Sequence, residues 1–122
     1  MAFVKNVNDI GLNVGIWIEP EMVNPDSQLF LAHTDWILVD AVIQGRNQLV
    51  LDFTNKKVID YIFDSLIKSL SDTGITYIRW DMNRAIMPFV SKFTKNSAEV
   101  AHSYMLGVYN LISRLVEAMD GV

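Results

Sequence analysis

The stretch Tyr77-Ile78-Arg79-Trp80-Asp81-Met82-Asn83-Arg84 constrains this chain more than any other. It follows Gly74-Ile75-Thr76, so an apolar, β-branched and aromatic run starts at a glycine and ends on a carboxylate. A short buried parallel strand reads this way when it delivers a polar side chain to its C-terminal end. In α/β folds those strand ends are where ligands and chemistry sit. An Asp after an apolar strand also serves as a helix N-cap or a turn former. Here two arginines, an amide, an indole and the carboxylate of Asp81 fall together between Arg79 and Arg84. Packing alone does not call for that mixture.

Further upstream, Ala2 to Ile10 places Phe3, Val7 and Ile10 on one helical stripe, and Gly11 stands where a helix-ending glycine belongs. Leu12 to Ile18 reads as a buried strand that must stop at Pro20, which lacks a ladder donor. Glu19 and Glu21 then stand at a strand end, with a solvated loop edge as the alternative. Asn24-Pro25-Asp26-Ser27 is turn chemistry. Gln28 to His33 suits a helical turn, Asp35 to Val39 a short extended piece, and Gln48 to Phe53 another strand. Thr54 suits the N-cap of a helix from Lys56 to about Leu70, whose stripe Val58, Ile59, Ile62, Phe63, Leu66, Ile67 and Leu70 fits a helix lying on a sheet. Gly74 ends it and a strand over 75–81 follows. The strand–helix–strand order places the strands 12–18 and 75–81 side by side with their C-termini on one face. Beyond a loop holding Pro88, Asn96 and Glu99 have capping-box spacing and open a helix to about Met119, with Val100, Tyr104, Leu111 and Leu115 inward. His102 on it reads as a surface residue.

Three blocks of this chain resemble glycoside hydrolase family 36, the bacterial α-galactosidases. They are Gly15-Ile16-Trp17-Ile18-Glu19-Pro20-Glu21-Met22-Val23-Asn24-Pro25, Gly45-Arg46-Asn47-Gln48-Leu49-Val50-Leu51-Asp52, and the Trp80-Asp81-Met82-Asn83 strand end, in the family's order. His33-Thr34-Asp35-Trp36 is a weaker fourth. The resemblance implies an α/β fold, a partial (β/α)₈ TIM barrel with parallel strands. At 122 residues the chain is far below the roughly 250 of a complete barrel. Residues 1–122 are thus expected to form a single segment of the catalytic barrel, about three strand-bearing units, incomplete at both ends.

By that resemblance Asp81 is the catalytic nucleophile, and Trp17, Arg46, Arg79, Trp80 and Asn83 line the galactose subsite. Core packing is the alternative for Trp17 and Trp80. The family generally has lysine where this chain has Arg79, which is not a conservative exchange at a hydroxyl-binding site. The family's general acid/base and its upstream aspartate pair are not found in this chain, and Glu19, Glu21 and Asp52 are not assigned that role. The implied activity is retaining hydrolysis of terminal α-linked galactose from oligosaccharides. A raffinose-synthase-like α-galactosyl transferase and a non-catalytic truncated remnant are the alternatives.

Composition narrows the partners. A net charge of −4, with 10 basic and 14 acidic residues spread along the chain, offers no basic stripe for phosphates, so nucleic acid is not expected. There is no cysteine, and His33 and His102 are isolated, so neither a metal site nor another cofactor is expected. No apolar run approaches the ~20 residues of a membrane span. The expectation is a soluble cytoplasmic protein acting on an α-galactoside, with a homo-oligomer possible in the full-length enzyme.

Overall fold

The computed structural model describes residues 2–38, 47–82 and 90–119. Helix α1 (Ala2–Asp9) ends as its glycine dictates. Gly11 adopts φ +81°, and the Leu12 N–H reaches the Val7 carbonyl at 3.3 Å, five residues back, as glycine-terminated helices close. The expected stripe is not the docked face, however. Phe3 and Ile10 are exposed and Val4 is buried. The reason is polar: Asn8, one turn after Val4, donates from Nδ2 to the Gly74 carbonyl at 3.0 Å. That bond turns the Val4–Asn8 side of the helix onto the Gly74 turn.

Strands β1 (Gly15–Ile18) and β4 (Tyr77–Trp80) pair in parallel, with Gly15 opposite Tyr77 and Trp17 opposite Arg79. Thr76 N–H to Val14 O (2.8 Å) and Asp81 N–H to Ile18 O (3.0 Å) extend the ladder at its two ends. The parallel neighbours expected from the strand–helix–strand order are therefore present, with shorter bounds than 12–18 and 75–81.

The third expected strand, over 48–53, does not join this parallel pair. β2 (Met22–Val23) and β3 (Leu49–Val50) form a separate antiparallel pair. Ile37 bridges Leu51 antiparallel on the other side of β3. The run 48–53 lies between two short partners instead of joining β1 and β4, and Leu49, Val50, Leu51 and Phe53 are all buried. Burial on every side explains its continuous apolar character. Of the piece expected over Asp35 to Val39, Val39 lies outside the described residues.

Helix α2 (Gln28–Ala32) is capped by Ser27, whose Oγ accepts from Phe30 N–H. Helix α3 (Lys56–Leu70) has the expected bounds but a different cap. Asn55 accepts from Lys57 N–H at 3.0 Å, whereas the Thr54 hydroxyl donates to Asp52 Oδ1 at 2.6 Å. Asp52 thus competes for Thr54 and shifts the cap by one residue. A 3₁₀ turn (Ser97–Glu99) leads into α4 (Val100–Ala118). Asn96 accepts from Ala98 N–H and donates to Glu99 Oε1 at 2.8 Å, fulfilling the capping signal.

Helices α3 and α4 pack together over Phe53, Val58, Ile59, Val100, Tyr104, Val108, Leu111 and Leu115. Gly107 permits this approach: a Cβ there would stand 2.0 Å from the Phe53 carbonyl oxygen. At the surface Arg114 joins the pair, donating to Asp60 Oδ1 at 2.8 Å and lying 4.0 Å over the Phe63 ring.

Candidate active site

Parallel pairing brings the C-terminal ends of β1 and β4 to the same edge, and the period of two decides which side chains meet there. Trp17 and Arg79 are register partners and share a face. Asp81, two residues past Arg79, continues it. The Trp17 indole N–H donates to Asp81 Oδ2 at 2.9 Å, and the Arg79 guanidinium stands 3.7 Å from the same oxygen. Trp17 keeps 46% of its surface exposed, so its ring is open to a ligand. A cation and a hydrogen-bond donor beside a carboxylate both favour its ionised form. Arg79 is itself largely exposed, so its share is screened by water and salt.

Trp80 is not brought into this group. It faces the opposite side of β4, with Ile78, toward a shallow apolar groove that Ile112, Leu115 and Val116 of α4 complete. Its ring meets Phe53 edge-on at 6.4 Å, and its indole N–H donates to Glu21 Oε2 at 2.7 Å. The packing alternative fits its surroundings. Arg46 and Asn83 lie outside the described residues.

Glu21 is fully buried and is no solvated loop edge. Burial pushes its carboxyl above the usual glutamate range, against its own backbone hydrogen bond and the Trp80 indole; the charges of Glu19 and Asp81 add to the rise. Asp52 is equally buried and closes a turn through the Thr54 N–H and hydroxyl. Thr54 in turn contacts the Ser91 hydroxyl at 2.8 Å. Tyr104 of α4 is buried beside both carboxylates. Burial lifts its phenol far above the ordinary value, and the Glu21 and Asp52 charges lift it further, so it stays neutral. The sequence reading missed this buried polar cluster. One signal was there: a tyrosine on the inward stripe of α4 needs an acceptor for its hydroxyl.

The weaker block around His33 makes a packing cluster. His33 stacks on Trp36 at 3.8 Å, and Tyr61 of α3 meets Trp36 edge-on at 5.7 Å. Among the described residues no group of three or more His, Asp or Glu side chains could hold a metal ion, and no helix is long and apolar enough to cross a membrane.

A sequence model of the Melibiase family matches residues 1–122, the whole chain. The chain belongs to the Melibiase family. Among its relatives, the α-galactosidase AgaA of Geobacillus stearothermophilus is 42% identical over 119 residues, covering 93% of this chain and 16% of that protein. The α-galactosidase C of Emericella nidulans is 44% identical over 122 residues, covering 95% of this chain and 16% of its own. A crystal structure of a substituted family 36 AgaA in complex with raffinose superposes with a TM-score of 0.87 at 39% identity, covering 99% of this chain and 18% of that one. This chain therefore spans about a sixth of the Melibiase relatives it matches. The likeness covers nearly the whole of this chain.

Proposed function

We propose that these residues are the nucleophile-bearing segment of a (β/α)₈ α-galactosidase that cleaves terminal α-linked galactose with retention. Asp81 is its nucleophile. The observation that carries this reading is the placement of Asp81 at the end of β4, with Trp17 and Arg79 directed at one of its oxygens. The names of the relatives, and raffinose in the solved complex, support the sugar class.

In the first step the Asp81 carboxylate attacks the anomeric carbon. The bond to the leaving oxygen breaks, and that oxygen takes a proton from a second carboxyl group about 5–5.5 Å from the first. In the second step the same group removes a proton from water, and the resulting attack releases Asp81 with net retention. Glu21 and Asp52 are buried in the cluster behind β4, so the proposal assigns the acid/base role to a residue outside this chain. Trp17 offers an aromatic face to the apolar face of the sugar, and Arg79 a cation to its hydroxyls. Arg46 and Asn83 complete the subsite in the proposal.

The experiment uses the whole protein and an aryl α-galactoside. Asp81→Asn should keep the fold and lower kcat by about 10⁴-fold or more, because an amide forms no glycosyl-enzyme bond. Azide should restore turnover in Asp81→Gly, where room opens for the anion, and not in Asp81→Asn. The isolated 122-residue chain should show no turnover. Wild-type activity in a folded Asp81→Asn protein would overturn the assignment.

A further inference from the structure

Glu21 is a buried carboxylate that the proposed chemistry does not use, and burying a carboxylate is costly unless something compensates for its lost hydration. Two hydrogen bonds hold Glu21, one to its backbone and one to its carboxylate. Its backbone carbonyl accepts from Leu51 N–H at 2.8 Å, which continues the β2–β3 pairing by one bond. Oε2 accepts the Trp80 indole N–H at 2.7 Å. Tyr104 of α4 is buried near enough for the Glu21 charge to act on its phenol.

Trp80 is the residue immediately before Asp81. The two side chains leave β4 on opposite faces, so whatever holds one limits rotation of the other. The backbone of Asp81 is held by Ile18 O at 3.0 Å, its side chain is met by Trp17 on the open face, and Trp80 is pinned on the buried face. We propose that Glu21 is the positioning residue of the nucleophile: by holding the Trp80 indole it fixes the end of β4 and the direction in which Asp81 presents its carboxylate. This rests on the reading of Asp81 as the nucleophile. Glu21 touches neither sugar nor reacting atoms in this arrangement; it acts through Trp80.

The test separates attack by Asp81 from sugar binding. The probe is a fluorinated α-galactosyl trap with a leaving group that needs no protonation. Its covalent labelling of the whole protein is followed by intact mass and located by peptide mapping, and galactose serves as a competitive inhibitor to report ground-state binding. Glu21→Leu and Trp80→Phe each remove one end of the bond and should slow labelling about 10- to 100-fold, the scale of a small misplacement of a reacting group. Galactose inhibition should stay within about twofold in both. Glu21→Gln keeps an acceptor oxygen for the indole and should label within about threefold of wild type. If Glu21→Leu does not fold, Trp80→Phe against Glu21→Gln carries the same comparison.

Wild-type labelling rates in folded Trp80→Phe or Glu21→Leu would overturn the proposal. So would a Glu21→Gln rate as low as that of Glu21→Leu, since charge and not the indole bond would then matter. A parallel loss of galactose affinity would mean a collapsed pocket and would overturn it too. Labelling of the wild-type protein at a residue other than Asp81 would instead remove the nucleophile assignment. The two failures are thus told apart by the wild-type control.

Discussion

The indole N–H of Trp17 donates to Oδ2 of Asp81 at 2.9 Å, joining β1 to the end of β4 across residues 64 positions apart. A donor placed on a carboxylate steadies its ionised form, and hydrogen bonds to charged groups are worth about 1.5–3 kcal/mol. Trp17→Phe keeps an aromatic ring but removes that donor. In the whole protein we expect kcat/KM for an aryl α-galactoside to fall about 10-fold or more. An unchanged kcat/KM would show that the bond does not matter to the reaction.

Two glycines predict different costs for the same substitution. At Gly107 an added Cβ would meet the Phe53 backbone carbonyl at 2.0 Å, which cannot yield without separating α4 from its floor. At Gly15 it would meet the Tyr77 ring at 2.2 Å, and that ring is half exposed and free to swing. Gly107→Ala should therefore lower stability by about 3 kcal/mol, at the upper end of overpacking costs. Gly15→Ala should cost clearly less. Thermal denaturation of the two variants decides the order.

Glu21 predicts a pH-dependent stability difference. Its carboxyl is raised above the ordinary 4.5, chiefly by burial. The folded state therefore holds this proton more tightly than the unfolded state. The group's favourable contribution is complete below that ordinary value and is lost as pH rises through the raised one. Glu21→Gln does not titrate, so the melting temperature of the variant minus that of wild type should become more positive as pH rises above that ordinary value. A difference that stays flat as pH rises would contradict the burial argument.

On the outer face, Arg114 joins α4 to Asp60 of α3 and covers the Phe63 ring. The Lys56 ammonium bonded to Asp60 holds that carboxyl below its usual 3.8, and Arg114 adds to the effect. This contribution is present above that ordinary value and is lost as pH falls through the lowered one. Both partners are partly exposed, so Arg114→Ala should cost only about 1 kcal/mol. Native-state hydrogen exchange should place the loss in α3 and α4. Protection unchanged in both helices would show that the bridge contributes nothing.

The parallel pairing of β1 and β4 was legible because glycines, a proline and an apolar run mark each strand, and because the strand–helix–strand order admits few topologies. The bounds of α3 followed from its stripe and from Gly74 beyond it. The docked face of α1 did not, because one amide bond from Asn8 to Gly74 outweighs a sparse apolar stripe. The antiparallel β2–β3 pair was hidden for a related reason: two-residue ladders are too short to carry a period. Trp80 is the instructive case. Strict alternation along β4 already separates it from Arg79 and Asp81, but its chemical suitability for sugar stacking outweighed its position. The family blocks pointed to Asp81, whereas the burial of Glu21 depends on α4, far along the chain, and no local pattern announces it.

The long separation between Trp17 and Asp81 also has a kinetic consequence. Closing a loop of that length costs roughly 4 kcal/mol of chain entropy before any strand contact compensates for it. Helices α3 and α4 are local elements and form without that closure, whereas the β1–β4 ladder depends on it. The pocket edge is therefore assembled late. A newly made chain is expected to hold its helices before Asp81 gains its partner strand, and the order in which this edge forms is set by chain closure more than by local propensity.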